Sequence, residues 1–208
     1  MLMSKILIWN LKGGQGKTSI AIQFCLLKSF YIVTNDLITP LDKIIEKKRV
    51  LKLLSNQELP VVPDSIDVIY DFGGYADNRL IQLFNQIDFC IIPIAIESVE
   101  SIFETQGLLE SVNEINQFIP DKKIIIIFNK VDKKFQKTMD NIRNILIDKF
   151  PKKTFKIIEI KKSSAFSKSI QKTKSIEQLC QNPLLKYHYQ PVLKQINELL
   201  DYVGGNKK

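Results

Sequence analysis

Apolar runs recur along the chain at Lys5 to Trp9, Phe30 to Thr34, Ile66 to Asp71, Asp88 to Ile94, Lys123 to Phe128 and Phe155 to Ile160. They are too short for buried helices and lack the in–out alternation of a half-solvated sheet. They predict strands buried on both faces. Between them the spacing changes to the helical period. Ile20, Ala21, Ile22, Phe24, Cys25 and Leu26 begin a short helix, and Ile96 to Phe118 reads as a long amphipathic one. A basic amphipathic helix is expected over 136–150, with Met139, Ile142, Ile145, Leu146 and Phe150 as its apolar face. The last helix, about Tyr189 to Val203, places Val192, Leu193, Ile196, Leu199, Leu200 and Val203 on one side. Gly204 and Gly205 are expected to stop it, leaving 204–208 as a disordered tail. Residues 41–54 have helical spacing as well, although Arg49 to Leu54 also suits a short strand, and Pro60 and Pro63 punctuate a loop. Strands alternating with helices predict an α/β fold, a mostly parallel sheet with helices on both faces.

Chemistry gathers where the strands end. The first strand runs into Asn10-Leu11-Lys12-Gly13-Gly14-Gln15-Gly16-Lys17-Thr18-Ser19 and then into the first helix. Strand, glycine loop and helix in that order make a phosphate-binding loop. Its backbone N–H groups, from Gly13 through Ser19, can turn inward around phosphate oxygens, with the positive end of the helix dipole behind them. Lys17 would reach the β/γ-phosphates and the Thr18 hydroxyl would bind Mg²⁺. The strand ending at Asp71, followed by Phe72-Gly73-Gly74, reads as a Walker B element. Asp71 would hold the Mg²⁺ shell, and the N–H of Gly73 or Gly74 would meet the γ-phosphate. A parallel sheet binds its ligand at the carboxyl ends of its strands. Gly13 to Thr18, Asp36, Asp71 and Asn129 all fall there.

The generic G-x-x-x-x-G-K-[ST] pattern is not met, because its first glycine falls on Leu11. The loop matches K-G-G-x-G-K-T, the deviant Walker A motif, and the chain resembles the ParA/MinD family of P-loop ATPases from about Lys5 to Val203. The resemblance implies that Lys12 reaches across a dimer interface to the partner's nucleotide. Where the family has D-x-D-P-Q, this chain has Thr34, Asn35, Asp36, Leu37 and Ile38. Asp36 keeps the second carboxylate, which in the family orients the attacking water; it equally suits a loop residue capping a helix that begins near Pro40. The strand ending in Asn129 commonly touches adenine in the family. Here it continues as Asn129-Lys130-Val131-Asp132, which also matches the N-K-x-D motif that reads guanine. ATP is favoured and GTP stays open. In partition ATPases the stretch after the last strand carries basic residues that bind DNA without sequence preference. Here it holds Lys161, Lys162, Lys168, Lys172 and Lys174. Lys162 stands where relatives have Arg, and Ala165 at another position often basic in them. A solvated face is the alternative.

The 208 residues, 45% hydrophobic and 25% charged, predict one globular domain. Neither a membrane-spanning run nor a signal-peptide pattern stands out. Cys25, Cys90 and Cys180 sit singly in apolar surroundings and read as core thiols of a reducing compartment, and the lone His188 has no metal-ligating neighbours. The net charge of +8 is uneven: 1–119 carry −4, 120–174 carry +11 and 175–208 carry +1. Such a basic segment suggests a polyanionic partner.

Together these observations predict a short ParA-like ATPase, cytoplasmic and nucleoid-associated, forming a homodimer around two Mg–ATP molecules. Lys12, Lys17 and Asp36 would be its catalytic groups, non-specific DNA and a small ParB-like adaptor its partners, and partition or cargo positioning its output. A MinD-like membrane-positioning ATPase would need a basic polar face on the last helix, whereas Glu198 and Asp201 make that face mixed. A GTPase would need Asp132 to read guanine. A metabolic ligase would need a small-acid or amine pocket, for which no constellation is visible.

Overall fold

The computed structural model describes residues 4–73, 77–97, 102–118 and 123–205. Seven strands form one sheet: β1 (Lys5–Ile8), β2 (Tyr31–Thr34), β3 (Val50–Lys52), β4 (Val68–Asp71), β5 (Phe89–Ala95), β6 (Lys123–Val131) and β7 (Lys156–Lys161). Their order is β3-β2-β4-β1-β5-β6-β7, and every pairing is parallel. The helices are α1 (Lys17–Lys28), α2 (Arg79–Gln86), α3 (Ile102–Phe118), α4 (Gln136–Lys149), α5 (Ala165–Lys172), α6 (Ile176–Cys180) and α7 (Pro183–Gly205).

Two apolar layers sandwich the sheet. One packs α1, α6 and α7 against the side chains of Ile6, Ile8, Ile91, Ile125 and Ile158. The other packs α2, α3 and α4 against Leu7, Tyr70, Ile92, Ile126 and Phe128. Successive strand residues point to opposite faces, so the covered stretches of the inner strands β1, β4, β5 and β6 are apolar on both faces, whereas the edge strand β7 carries Lys156 and Glu159. Pro93 sits in β5, a central strand where proline is ordinarily excluded. The Ile91 carbonyl accepts from Trp9 N–H at 2.9 Å and the Pro93 carbonyl from Asn10 Nδ2 at 2.8 Å. Pro93 thus faces β1 just past its end, where no ladder bond is due and a side-chain amide finishes the edge.

Several boundaries differ from the sequence pattern. Residues 41–54 form no helix. They make two single 3-10 turns, Leu41–Lys43 and Lys47–Arg49, and then enter β3. The Arg49 guanidinium causes this locally, donating to the carbonyls of Cys25 at 2.8 Å and Phe30 at 3.3 Å and so aligning Val50 beside Ile32. Ile96 and Glu97 lie outside α3, since β5 runs to Ala95 and the Ile96 N–H still bonds the Asn129 carbonyl at 3.0 Å. α7 starts six residues before Tyr189 and continues through Gly204 and Gly205 instead of stopping there. The expected tail at 206–208 lies outside the described residues. Val192, Ile196, Leu199, Leu200 and Val203 are buried against the sheet. Among the described residues no helix is long and apolar enough to cross a membrane. Cys25 and Cys90 are buried, Cys180 only partly so, and all three are free thiols.

Candidate functional site

A cleft of about 530 Å³ opens where β1, β2 and β4 end, lined by Gly13, Gly14, Lys17, Thr18, Asp36 and Asp71 among others. The glycine loop that forms its floor is fastened from below. Gly14 and Gly16 adopt φ of 76° and 94°, in the left-handed region that favours glycine. A Cβ on Gly16 would also stand 2.3 Å from Asn129 Nδ2, so that position admits glycine alone.

Three buried amides hold the loop. Asn10 bonds Pro93 O through Nδ2 and accepts the Lys12 N–H at 2.8 Å. The Gln15 side chain accepts from Ala95 N–H at 2.7 Å and donates to Gly13 O at 3.1 Å. Asn129 Nδ2 donates to Gln15 O at 2.9 Å. Gln15 therefore offers a ligand only its backbone, and Asn129 serves the loop as an underpinning strut. Of the guanine-type motif, Asp132 caps the single turn Lys133–Phe135, accepting from Lys134 N–H.

Lys17 begins α1 and folds back over the loop, its ammonium donating to the carbonyls of Asn10 and Lys12 at 3.2 Å each. Burial lowers its pKa, and Asp71 partly counters that. Asp71 is 2% exposed. Burial raises its carboxyl to about 6, against the opposing pulls of a Thr18 hydrogen bond and the Lys17 charge, with Asp36 adding to the rise. Its Oδ2 has no hydrogen-bond partner among the described residues. A buried carboxylate oxygen without a donor, beside a threonine hydroxyl, is a hard-oxygen pair suited to Mg²⁺. The predicted metal residues Thr18 and Asp71 are thus brought together.

Asp36 lines the same cleft, but its oxygens are turned into their own loop. Oδ2 accepts from the Thr39 hydroxyl at 2.5 Å, and Oδ1 from the N–H groups of Ile38 at 2.9 Å and Thr39 at 3.2 Å. Burial would raise its pKa, but these bonds and the nearby Lys52 outweigh it and lower the value. It closes a turn and caps no helix near Pro40, where only one 3-10 turn follows. Thr34, at the family's first Asp, donates to Asp71 O at 2.7 Å and accepts from Asp36 N–H at 3.0 Å.

Lys12 points away from the cleft and pairs with Glu104 at 2.6 Å, in the first turn of α3. The Gly73 N–H donates to Asn35 Oδ1 at 2.8 Å; Gly74 lies outside the described residues. Ser19 lies in the first turn of α1. Lys161, Lys162, Lys168, Lys172 and Lys174 are all exposed. None of them makes a salt bridge among the described residues. Ala165 is buried and cannot present a contact there. No group of three or more potential metal ligands of the His, Cys, Asp and Glu types occurs among the described residues. The sequence pattern did not flag Asn10, Asn35 or the second role of Gln15. Their partners lie 38 to 83 residues away, and no local spacing signals such a bond.

Sheet order and loop give the chain an α/β fold of the P-loop NTPase type, with a loop of the deviant Walker A pattern. Its fold is similar to that of pnob8 ParA (TM-score 0.66, 12% identity, 100% of both chains) and to a variant of Cyanothece McdA in complex with ATP (0.61, 15%, 99% of this chain and 98% of that one). It is also similar to the MinD cell division protein of Aquifex aeolicus (0.57, 20%, 95% and 96%). The likeness covers nearly the whole chain and bears out, at the level of the fold, the resemblance to ParA/MinD ATPases. No protein-family model matches the sequence, and no curated protein does.

Proposed function

We propose that this chain is a ParA-like ATPase that dimerises around two ATP molecules and binds DNA without sequence preference when it has done so. The observation that carries the reading is the Lys17 ammonium on the loop floor directly beside the linked Thr18–Asp71 pair. Mg²⁺, held through the Thr18 hydroxyl and the Asp71 carboxylate, would neutralise charge on the phosphates. Lys17 exchanges two carbonyl partners for phosphate oxygens, a stronger, charge-assisted set. Asp36 would orient water once its carboxylate is released from Thr39. Lys12 would leave Glu104 to serve the nucleotide of the partner subunit.

ATP is the favoured nucleotide, in keeping with the ATP complex of the McdA variant. The five exposed lysines 161, 162, 168, 172 and 174 would contact phosphates, and pairing two subunits would multiply these weak contacts. Release on hydrolysis, stimulated by a small ParB-like DNA-binding adaptor, would drive partition of a replicon or positioning of a cargo on the nucleoid.

The test is binding to random-sequence duplex DNA with ADP, ATP or GTP, at low and moderate salt, alongside Lys12→Ala. ATP-dependent, salt-sensitive binding that Lys12→Ala abolishes is the expected result. A folded protein that binds ATP yet no DNA under any condition would remove the DNA part. A preference for GTP would transfer the site to the guanine reading of Asn129 and Asp132.

A further inference from the structure

Within the buried stretch of α1, from Ile20 to Cys25, one residue is polar. Gln23 is 0% exposed, and both ends of its amide are engaged far along the chain. Nε2 donates to Ser169 Oγ at 2.8 Å, and Oε1 accepts the Ile176 N–H at 3.2 Å. Ser169 is fully buried as well. Its hydroxyl donates to the Lys174 carbonyl at 2.5 Å, and its own carbonyl accepts the Lys174 N–H at 3.1 Å. A buried amide and a buried hydroxyl thus clasp the corner between α5 and α6. The corner is sharp: Thr173, at a φ of 50°, closes α5, and the Ser175 side chain caps α6. It carries Lys172 and Lys174, both exposed. Opening the clasp would leave polar groups buried without partners, so the corner is firmly held.

α1 is the element that the nucleotide cleft and this corner share. Its first turn carries Lys17 and Thr18, and Gln23 follows five residues after Thr18, about 7.5 Å along the axis at the helical rise. We propose that Gln23 is a positioning residue for the DNA-binding surface: through Ser169 and Ile176 it fixes the corner with Lys172 and Lys174 to the helix that starts at the phosphate loop. The inference rests on the reading of the exposed lysines as phosphate contacts. Under that reading the clasp acts in two ways. A lysine on a loose corner must be ordered when DNA binds, at a cost in entropy that weakens the complex. With the clasp closed, folding has already ordered the backbone of both lysines. The clasp also sets their place relative to the nucleotide, so any shift of α1 on nucleotide binding carries the corner with it. Gln23 itself touches neither DNA nor nucleotide and acts through Ser169 and the backbone of Lys174 and Ile176.

The experiment measures binding of random-sequence duplex DNA to the full chain with Mg–ATP, over a range of salt, for wild type and Ser169→Ala. The variant is expected to bind Mg–ATP as wild type does and DNA about three- to tenfold more weakly, with a log–log salt dependence flatter by about one. On a Lys172→Ala/Lys174→Ala background, Ser169→Ala should weaken DNA binding no further, because the clasp acts only through those two lysines. Lowered stability with unaltered DNA affinity and slope would mean that the clasp serves the fold alone. A further loss on the double-alanine background would place its effect elsewhere. Either result overturns the proposal. If Ser169→Ala does not fold, Gln23→Met, similar in length and without the amide, carries the same expectations. Wild-type protein that binds Mg–ATP but no DNA would refute the DNA reading itself, and the proposal with it. DNA binding by wild type that the variants leave unchanged would refute the role of Gln23 and leave that reading standing.

Discussion

Gly16 meets two independent demands, a left-handed φ and the absence of a Cβ beside Asn129. Gly16→Ala is therefore expected to displace the Asn129 strut and deform the loop. Nucleotide affinity should fall by at least about tenfold, with a lower melting temperature, both readable in one thermal-shift series with and without Mg–ATP. Asp77 gives a pH test. Hydrogen bonds from Arg79, opposed by burial and aided by Asn35, bring its carboxyl down to about 2. A depressed carboxyl contributes stability that is complete above its unfolded value of about 3.9 and fades as pH falls through 2. Wild-type protein should lose urea resistance across that window faster than Asp77→Asn. Parallel slopes for the two would show that the Asp77–Arg79 pair adds nothing. At this scale the sequence was readable where a motif concentrates chemistry within one loop, as in Lys17, Thr18 and the glycines. It was silent on Asn10, Asn35 and the Asp77–Arg79 pair, because their function is set by partners that only folding brings near.

At the scale of elements, the strands were readable because burial on both faces leaves an apolar run, as in β1, β2, β4, β5 and β6; β7 was legible as well, although Lys156 and Glu159 interrupt it. β3, at the sheet edge, has no such run, since Leu51 is exposed and Val50 and Lys52 are half-buried. Its identity depends on the Arg49 bonds to α1 and to Phe30 just before β2, which no periodicity encodes. α7 was underestimated at both ends because its first turns are exposed, with Leu184 and Tyr187 above 80%. Its buried half anchors the fold, so Ile196→Ala should lower stability by about 2–5 kcal/mol, measured by denaturant unfolding. α3 carries a second element-scale prediction. The Lys12–Glu104 pair at 2.6 Å competes with any contact of Lys12 to a partner's nucleotide. Glu104→Gln removes the charge and keeps the shape. If the chain dimerises on ATP as proposed, the substitution should lower the protein concentration at which that dimer appears in light scattering; an unchanged concentration would show that the ion pair exerts no restraint.

At the scale of the molecule, the charge asymmetry of the sequence becomes a spatial one. The +11 segment of residues 120–174 builds β6, α4, β7 and α5. β6 and β7 are consecutive at one margin of the sheet, so the basic residues collect on that flank. If the exposed lysines contact phosphates, Lys168→Ala and Lys172→Ala should each flatten the log–log salt dependence of DNA binding by about one. Substitutions of exposed residues on the β3 flank should leave it unaltered. The strand order has one more outcome, which concerns the birth of the protein. β1 pairs only with β4 and β5, through residues 68–71 and 89–91. During synthesis the glycine loop thus precedes both neighbours of its strand, which waits unpaired until β4, and then β5, have been polymerised. Nucleotide cannot assist that early stage, so nascent chains would depend on chaperones or speed of elongation to keep β1 from pairing wrongly.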